Sequence, residues 1–114
     1  MVAIAASILA VNVLRVEQEL RRIADAGIDF IHFDVMDGNF VPNLSFGPDL
    51  LHAVAKTTSV PLDVHLMVSK PEIWVEKFLS PSVSMLSFHL EASQDPRALL
   101  RKIRHEGIKA RFRG

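Results

Sequence analysis

The chain has no cysteine. That excludes disulfides, thiolate metal sites and a cysteine nucleophile. It has no surplus of either charge: 13 Lys and Arg stand against 13 Asp and Glu, and the formal net charge is zero. This balance argues against nucleic acid as a partner, since such binders usually carry a basic surplus. No apolar run approaches the roughly 20 residues of a membrane span, so no membrane partner is expected. No Gly-x-Gly-x-x-Gly follows the first apolar run, which weakens a dinucleotide-binding reading. No low-complexity stretch or composition shift divides the sequence, so residues 1–114 read as one domain. The length falls short of a complete (β/α)8 barrel, which needs roughly 200 residues or more.

What is present describes a globular protein. Hydrophobic residues make up 49% and charged residues 23%, a balance unlike that of a disordered chain. The apolar start, Met1 to Val11, resembles a signal peptide but lacks a charged leader, because the first basic residue is Arg15. It reads as a buried strand, and with no cysteine present a cytoplasmic location is expected.

Apolar runs alternate with helical patterns. Ala3 to Ala10 is short and nearly continuous in apolar character, as strands buried on both faces tend to be. Asn12 can cap a helix with apolar positions Val13, Val16, Leu20, Ile23 and Ala24, stopped at Gly27. Phe30 to Met36 is the second strand, and a turn-rich segment follows Asp37-Gly38. Pro48 starts a short helix, Asp49 to Lys56, with Leu50, Leu51 and Val54 inward. Pro61 to Met67 is the third strand. Ser69-Lys70-Pro71-Glu72 resembles a capping box, and the helix it opens is expected to bury Ile73, Trp74, Phe78 and Leu79. Val83 to Leu90 is the fourth strand. Asp95-Pro96 opens a helix with Leu99, Leu100 and Ile103, and Ile108 to Phe112 is a fifth apolar segment. The order β-α-β-α-β-α-β-α-β implies a parallel sheet with right-handed crossovers. Pattern alone does not separate a small open sheet from part of a barrel.

The second and third strands carry the chemistry. Side chains alternate along a strand, so His32, Asp34 and Met36 share one face, and Ile31, Phe33 and Val35 the other. Asp63, His65 and Met67 share a face in the same way. An imidazole and a carboxylate within an apolar strand are costly to bury unless partnered. A hydrogen-bonded His–Asp pair inside a core satisfies that requirement, and so does a metal site. Two neighbouring strands that each offer an inward His, with a carboxylate between, suit Zn²⁺, Fe²⁺ or Mn²⁺. His89, with Glu91 on its face, lines the same cavity or meets solvent. Ser7 either bonds a neighbouring backbone group or reaches a substrate oxygen at the carboxyl end of its strand. Met36, Met67 and Trp74 read first as packing residues. His52 and His105 lie in helical patterns and read as surface residues.

These residues also resemble a known family. Ser7-Ile8-Leu9, His32-Phe33-Asp34-Val35-Met36-Asp37-Gly38, Asn39-Phe40-Val41-Pro42-Asn43 and Asp63-Val64-His65-Leu66-Met67 are similar, in residues and spacing, to the ribulose-phosphate 3-epimerase family. Phe88-His89-Leu90-Glu91 falls where a similar segment is expected, and the resemblance covers about residues 3 to 110. It implies a metal-dependent TIM barrel acting on ketopentose phosphates. It implies that His32, Asp34 and His65 are three of four ligands to a divalent ion such as Zn, Fe, Mn or Co. Asp34 would also be one of two acid/base aspartates. Ser7 and His65 would contact substrate, and Met36 and Met67 would line the pocket.

The sequence departs from the family in three places. Ala6 stands where proline is usual, Leu79 to Ser84 replaces an Ala-Gly-Ala-Asp type turn, and Arg111 to Gly114 diverges from the glycine-containing fifth strand. No residue matches the second aspartate or the glycine-rich phosphate grip. The expected fold is therefore α/β, a parallel (βα)4-β portion of a TIM barrel. The expected activity is epimerisation at C3 of D-ribulose 5-phosphate, or of a related ketohexose phosphate. The alternative is a truncated, non-catalytic half barrel with little or no turnover. Open edges and an apolar interior would favour a homo-oligomer.

Overall fold

The computed structural model describes residues 5–8 and 13–113. Its strands are β1 (Ala5–Ser7), β2 (Phe30–Met36), β3 (Leu62–Met67), β4 (Val83–His89) and β5 (Lys109–Arg113). Helices α1 (Val16–Asp25), α2 (Pro48–Thr57), α3 (Pro71–Trp74) and α4 (Pro96–His105) alternate with them. The five strands form one parallel sheet in the order β1-β2-β3-β4-β5.

This order is what separates a barrel segment from a doubly wound sheet. Strand order never reverses, so crossovers of one hand put every helix on the same face. Burial follows that rule. Ile31, Phe33, Val35, Leu62, Val64, Leu66, Leu86, Phe88 and Ala110 are buried on the helix face, with Leu20, Ile23, Leu51, Val54, Phe78, Leu99, Leu100 and Ile103 packed over them. The opposite face has no helix on it among the described residues, and it holds His32, Asp34, Met36, Asp63, His65 and Met67, all only half-buried.

Helix ends follow local chemistry. Gly27 and Gly107 have φ of 73° and 79°, the left-handed conformation that ends α1 and α4. The Asp95 carboxylate caps α4 by accepting from the Ala98 N–H at 3.2 Å. Glu17–Arg21, Glu19–Arg22 and Glu76–Lys102 pair on the outside of the helices. None of the helices among the described residues is long and apolar enough to cross a membrane.

Four details differ from the sequence reading. Strand β1 is described only over Ala5–Ser7, with Ile8 buried just after it; the rest of the expected Ala3–Ala10 run and the Asn12 cap lie outside the described residues. The capping box before α3 does not form. Lys70 is the cap residue and no side chain caps the helix. Glu72 instead accepts from the Ser93 hydroxyl and from the Gln94 N–H at 3.0 Å, so tertiary partners outcompete the local motif. Third, α3 makes one α turn and continues as a 3-10 turn over Val75–Phe78. Three residues per turn align Val75 with Phe78, so those two are buried while Ile73 is 54% exposed. Fourth, Leu90 leaves β4 for a 3-10 turn and is exposed.

One irregularity matters for the site. The β3–β4 register runs Leu62↔Val83 and then Asp63↔Met85, a bulge at Ser84. One extra residue flips every following side chain to the other face. Val83, Leu86 and Phe88 all reach the helix side, and Met85, Ser87 and His89 fall on the open side with His65.

Candidate metal centre

The parallel register brings the candidate residues together. Ser7 pairs with His32, His32 with Asp63, Asp34 with His65, and Met36 with Met67. Paired residues share a face, so all seven stand on the open side of the sheet. Side chains at the centre of this group range from 12% exposed at His65 to 27% at His32.

Asp34 is the meeting point. Its Oδ1 lies 2.7 Å from His32 Nε2 and 3.5 Å from His65 Nδ1. Donor atoms of His32, Asp34 and His65 all fall within 4.8 Å of one another. Ligand distances near 2.0–2.2 Å place donors of one ion about 3–4 Å apart; the 3.5 Å contact falls in that range, and the 2.7 Å contact is a hydrogen-bond distance that an ion would replace. Imidazole and carboxylate donors suit Zn, Fe and Mn alike. The outer nitrogen of His32, Nδ1, faces Asp63 Oδ2 at 3.3 Å, the carboxylate–histidine pairing that orients metal ligands. The other Asp63 oxygen, Oδ1, is buried without a hydrogen-bond partner, as is Ser87 Oγ.

Electrostatics favour the neutral imidazole at His65. Burial, then the Arg113 guanidinium and the neighbouring His89 ring, hold its pKa down at about 4 against an ordinary 6.5, with Asp34 pulling the other way. A neutral imidazole is what a metal requires. Arg113 acts here because β5 alternates: Ala110 is buried against the helices, which leaves Lys109, Arg111 and Arg113 on the site face.

The loop after β2 is pinned over this end of the sheet. Ser45 Oγ donates to the Asp34 carbonyl at 2.7 Å and accepts from the Met36 N–H at 2.8 Å. Asp37 accepts from the N–H groups of Asn39 at 2.9 Å, Phe40 at 2.8 Å and Ser69 at 2.9 Å. It thereby ties the β2–α2 loop to the β3–α3 loop, and Gly38 turns the chain beside it with φ of 72°. Burial raises the Asp37 pKa, but these hydrogen bonds outweigh it and hold the carboxyl below its ordinary 3.8.

Replacing Asp37 with asparagine removes the charge and turns one acceptor into a donor. The expected cost at pH 7 is about 1–2 kcal/mol, since hydrogen bonds to a charged group exceed neutral ones. A depressed carboxyl stabilises the fold above its unfolded pKa and loses that contribution as pH falls through the folded value. Urea unfolding should therefore show a stability drop below about pH 4 that is smaller in Asp37→Asn. Equal stability of the two chains at pH 7 would remove the latch role.

Of the residues expected from sequence, His32, Asp34 and His65 converge, Met36 and Met67 pair beyond them, and Ser7 sits beside His32 on the same face. His52 and His105 are on the surface. Asp63, Asp37 and Ser45 were not singled out as site residues from sequence. Asp63 was signalled by its alternation with His65, whereas the roles of Asp37 and Ser45 rest on loop contacts that no periodicity encodes.

Comparison with known proteins agrees with this geometry. The model of the "Ribulose-phosphate 3 epimerase family" matches residues 3–112. A ribulose-phosphate 3-epimerase of Bacillus subtilis is 38% identical over 110 residues, covering 96% of this chain and 51% of the relative. One from Synechocystis is 40% identical over 111 residues, covering 96% of this chain and 48% of the relative. One from Methanocaldococcus jannaschii is 38% identical over 109 residues, covering 96% and 46%. The chain spans about half the length of the curated relatives it matches. With the motifs, the strand order and this match over nearly all its residues in agreement, the chain belongs to the ribulose-phosphate 3-epimerase family.

Proposed function

We propose that this chain carries the metal-binding and first proton-transfer portion of an enzyme that interconverts D-ribulose 5-phosphate and D-xylulose 5-phosphate. The observation that carries this reading is the convergence of His32, Asp34 and His65 donors on the open face of β2 and β3. His32, Asp34 and His65 would hold a divalent cation such as Zn, Fe, Mn or Co, which when bound would supply stabilisation of negative charge developing on substrate oxygens.

The remaining roles belong to the chain's own side chains. The C3 hydrogen of the sugar is acidic because it neighbours the C2 ketone. The Asp34 carboxylate takes that proton, leaving an enediolate, and can return it to the same face. His32 Nε2 and His65 Nδ1 flank Asp34 Oδ1 at 2.7 and 3.5 Å and would share the cation with it as ligands. Ser7 offers a hydroxyl to a substrate oxygen. Met36 and Met67 give a soft, aprotic wall beside the reacting carbons. Inversion at C3 also needs a donor on the opposite face, and among the described residues no second aspartate joins the His32, Asp34 and His65 donor set. The reading therefore separates proton exchange, which Asp34 supports alone, from net epimerisation.

The test is exchange in heavy water. Metal-loaded protein at high concentration is incubated with D-ribulose 5-phosphate, and loss of the C3–H signal is followed by NMR. Deuterium should enter C3, and chelation of the metal should return the rate to background. No incorporation above background overturns the proposal. Faster incorporation into a ketohexose 6-phosphate run in parallel would move the substrate class to hexuloses.

A further inference from the structure

His89 has a place in this site that its position in the sequence left open. The bulge at Ser84 turns it onto the open face, beyond His65. Its ring lies edge to edge with His65, with centroids 5.0 Å apart and planes 25° from parallel. The Phe40 ring of the pinned β2–α2 loop packs against His89 with centroids 5.0 Å apart. His89 Nε2 lies 2.9 Å from His65 Nε2, and His89 Nδ1 lies 3.6 Å from Glu91 Oε1.

A contact of that length between two imidazole nitrogens needs one N–H and one lone pair. His65 presents Nδ1 toward Asp34 Oδ1. For Nδ1 to offer a lone pair to a cation, the His65 proton must sit on Nε2, and that proton needs an acceptor. His89 Nε2 is the acceptor in place. The His89 proton then sits on Nδ1, with the Glu91 carboxylate 3.6 Å away as the nearby negative charge. His32 is arranged alike, with its outer nitrogen on Asp63, so each candidate ligand histidine has its own support behind it.

We infer that His89, backed by Glu91 and held by Phe40, is a positioning residue that fixes the tautomer and ring orientation of His65. The inference rests on the metal-site reading proposed above and extends it to a residue pair outside the donor set. His89 lies outside the donor set of His32, Asp34 and His65. It acts through His65, by accepting the Nε2 proton and by limiting rotation of the ring.

The experiment uses the full chain and Co²⁺ alone, read by calorimetry and by the visible absorption of the bound ion. The unmodified chain, His32→Ala, His89→Leu and His89→Gln are compared. Removal of a supporting partner behind a metal-bound histidine costs about 10- to 100-fold in affinity, and that loss is expected for His89→Leu. His89→Gln should recover most of it, because the amide oxygen accepts the same proton; a merely space-filling role would not give that order. Binding that His32→Ala abolishes but His89→Leu leaves unchanged overturns the inference and spares the metal site. No Co²⁺ binding by the unmodified chain overturns the metal reading and the inference together. A second measurement does not depend on a variant that folds. Nitrogen-15 NMR of the Zn²⁺-loaded chain at pH 8 should show His65 protonated on Nε2 and hydrogen-bonded to His89 Nε2, and a His65 Nε2–H with no bond to His89 overturns the inference.

Discussion

An Asp34→Asn chain is expected to lose C3 proton exchange by about 10²- to 10⁴-fold, the usual worth of a positioned general base. On the proposed reading two losses combine. The amide has almost no basicity, so the substrate proton has no acceptor. The carboxylate Oδ1 that meets both His32 Nε2 and His65 Nδ1 becomes an uncharged oxygen or an N–H donor. Cation affinity should fall with the exchange rate, because a neutral ligand replaces an anionic one. The backbone hydrogen bond between the Asp34 carbonyl and Ser45 does not involve the side chain, so circular dichroism and the urea midpoint should stay close to those of the unmodified chain. Exchange measured at equal metal occupancy separates the two losses. A variant that exchanges C3 hydrogen at the original rate once fully loaded would remove Asp34 from the role of base.

Replacing Phe33 with alanine should cost about 3–5 kcal/mol of folding stability, the range for a fully buried aromatic. Phe33 sits at the centre of β2 on the helix face, is fully buried, and packs against Phe46 with ring centroids 6.0 Å apart. Its removal both forfeits the burial of a large ring and leaves a cavity between sheet and helices that rigid neighbours fill only in part. Domains of this size hold about 5–15 kcal/mol in total, so a substantial unfolded fraction is expected at 37 °C. Leu44→Ala is the matched control: that side chain is 79% exposed and should change stability by about 0.5 kcal/mol or less. Urea unfolding of the two variants checks both values. A Phe33→Ala cost below 1 kcal/mol, on the scale given above, would contradict a single helix-covered face.

The two faces of β2 show why much of this site was readable from sequence. FIHFDVM alternates apolar and polar residues with period two, and a strand has no other way to present them. Two adjacent parallel strands with the same alternation bring their polar residues onto one face, so His32, Asp34 and His65 could be grouped before any coordinates. Gly27, Asp95 and Gly107 likewise mark helix ends through local backbone chemistry. These features depend on neighbours in the chain, and neighbours are what a sequence lists.

Other features depend on contacts between distant segments. Ser69 and Glu72 look like a capping box, yet Glu72 bonds Ser93 and Gln94 across the loop after β4. The 3-10 continuation of α3, which packs beside α2, buries Val75 and Phe78 and leaves Ile73 exposed. The Ser84 bulge has no local signature, and it decides which side of the sheet His89 occupies.

By itself the sequence determined the alternation of strands and helices, the polar face of β2 and β3, and the family through motifs at fixed spacing. Those follow from backbone geometry, which repeats every two residues in a strand and every 3.6 in a helix. Only the tertiary structure decided the unbroken strand order that leaves one face of the sheet without helices. Only it set the 2.9 Å meeting of His65 with His89 and the pinning of the β2–α2 loop by Asp37. Those depend on register and packing, where a single inserted residue exchanges inside for outside.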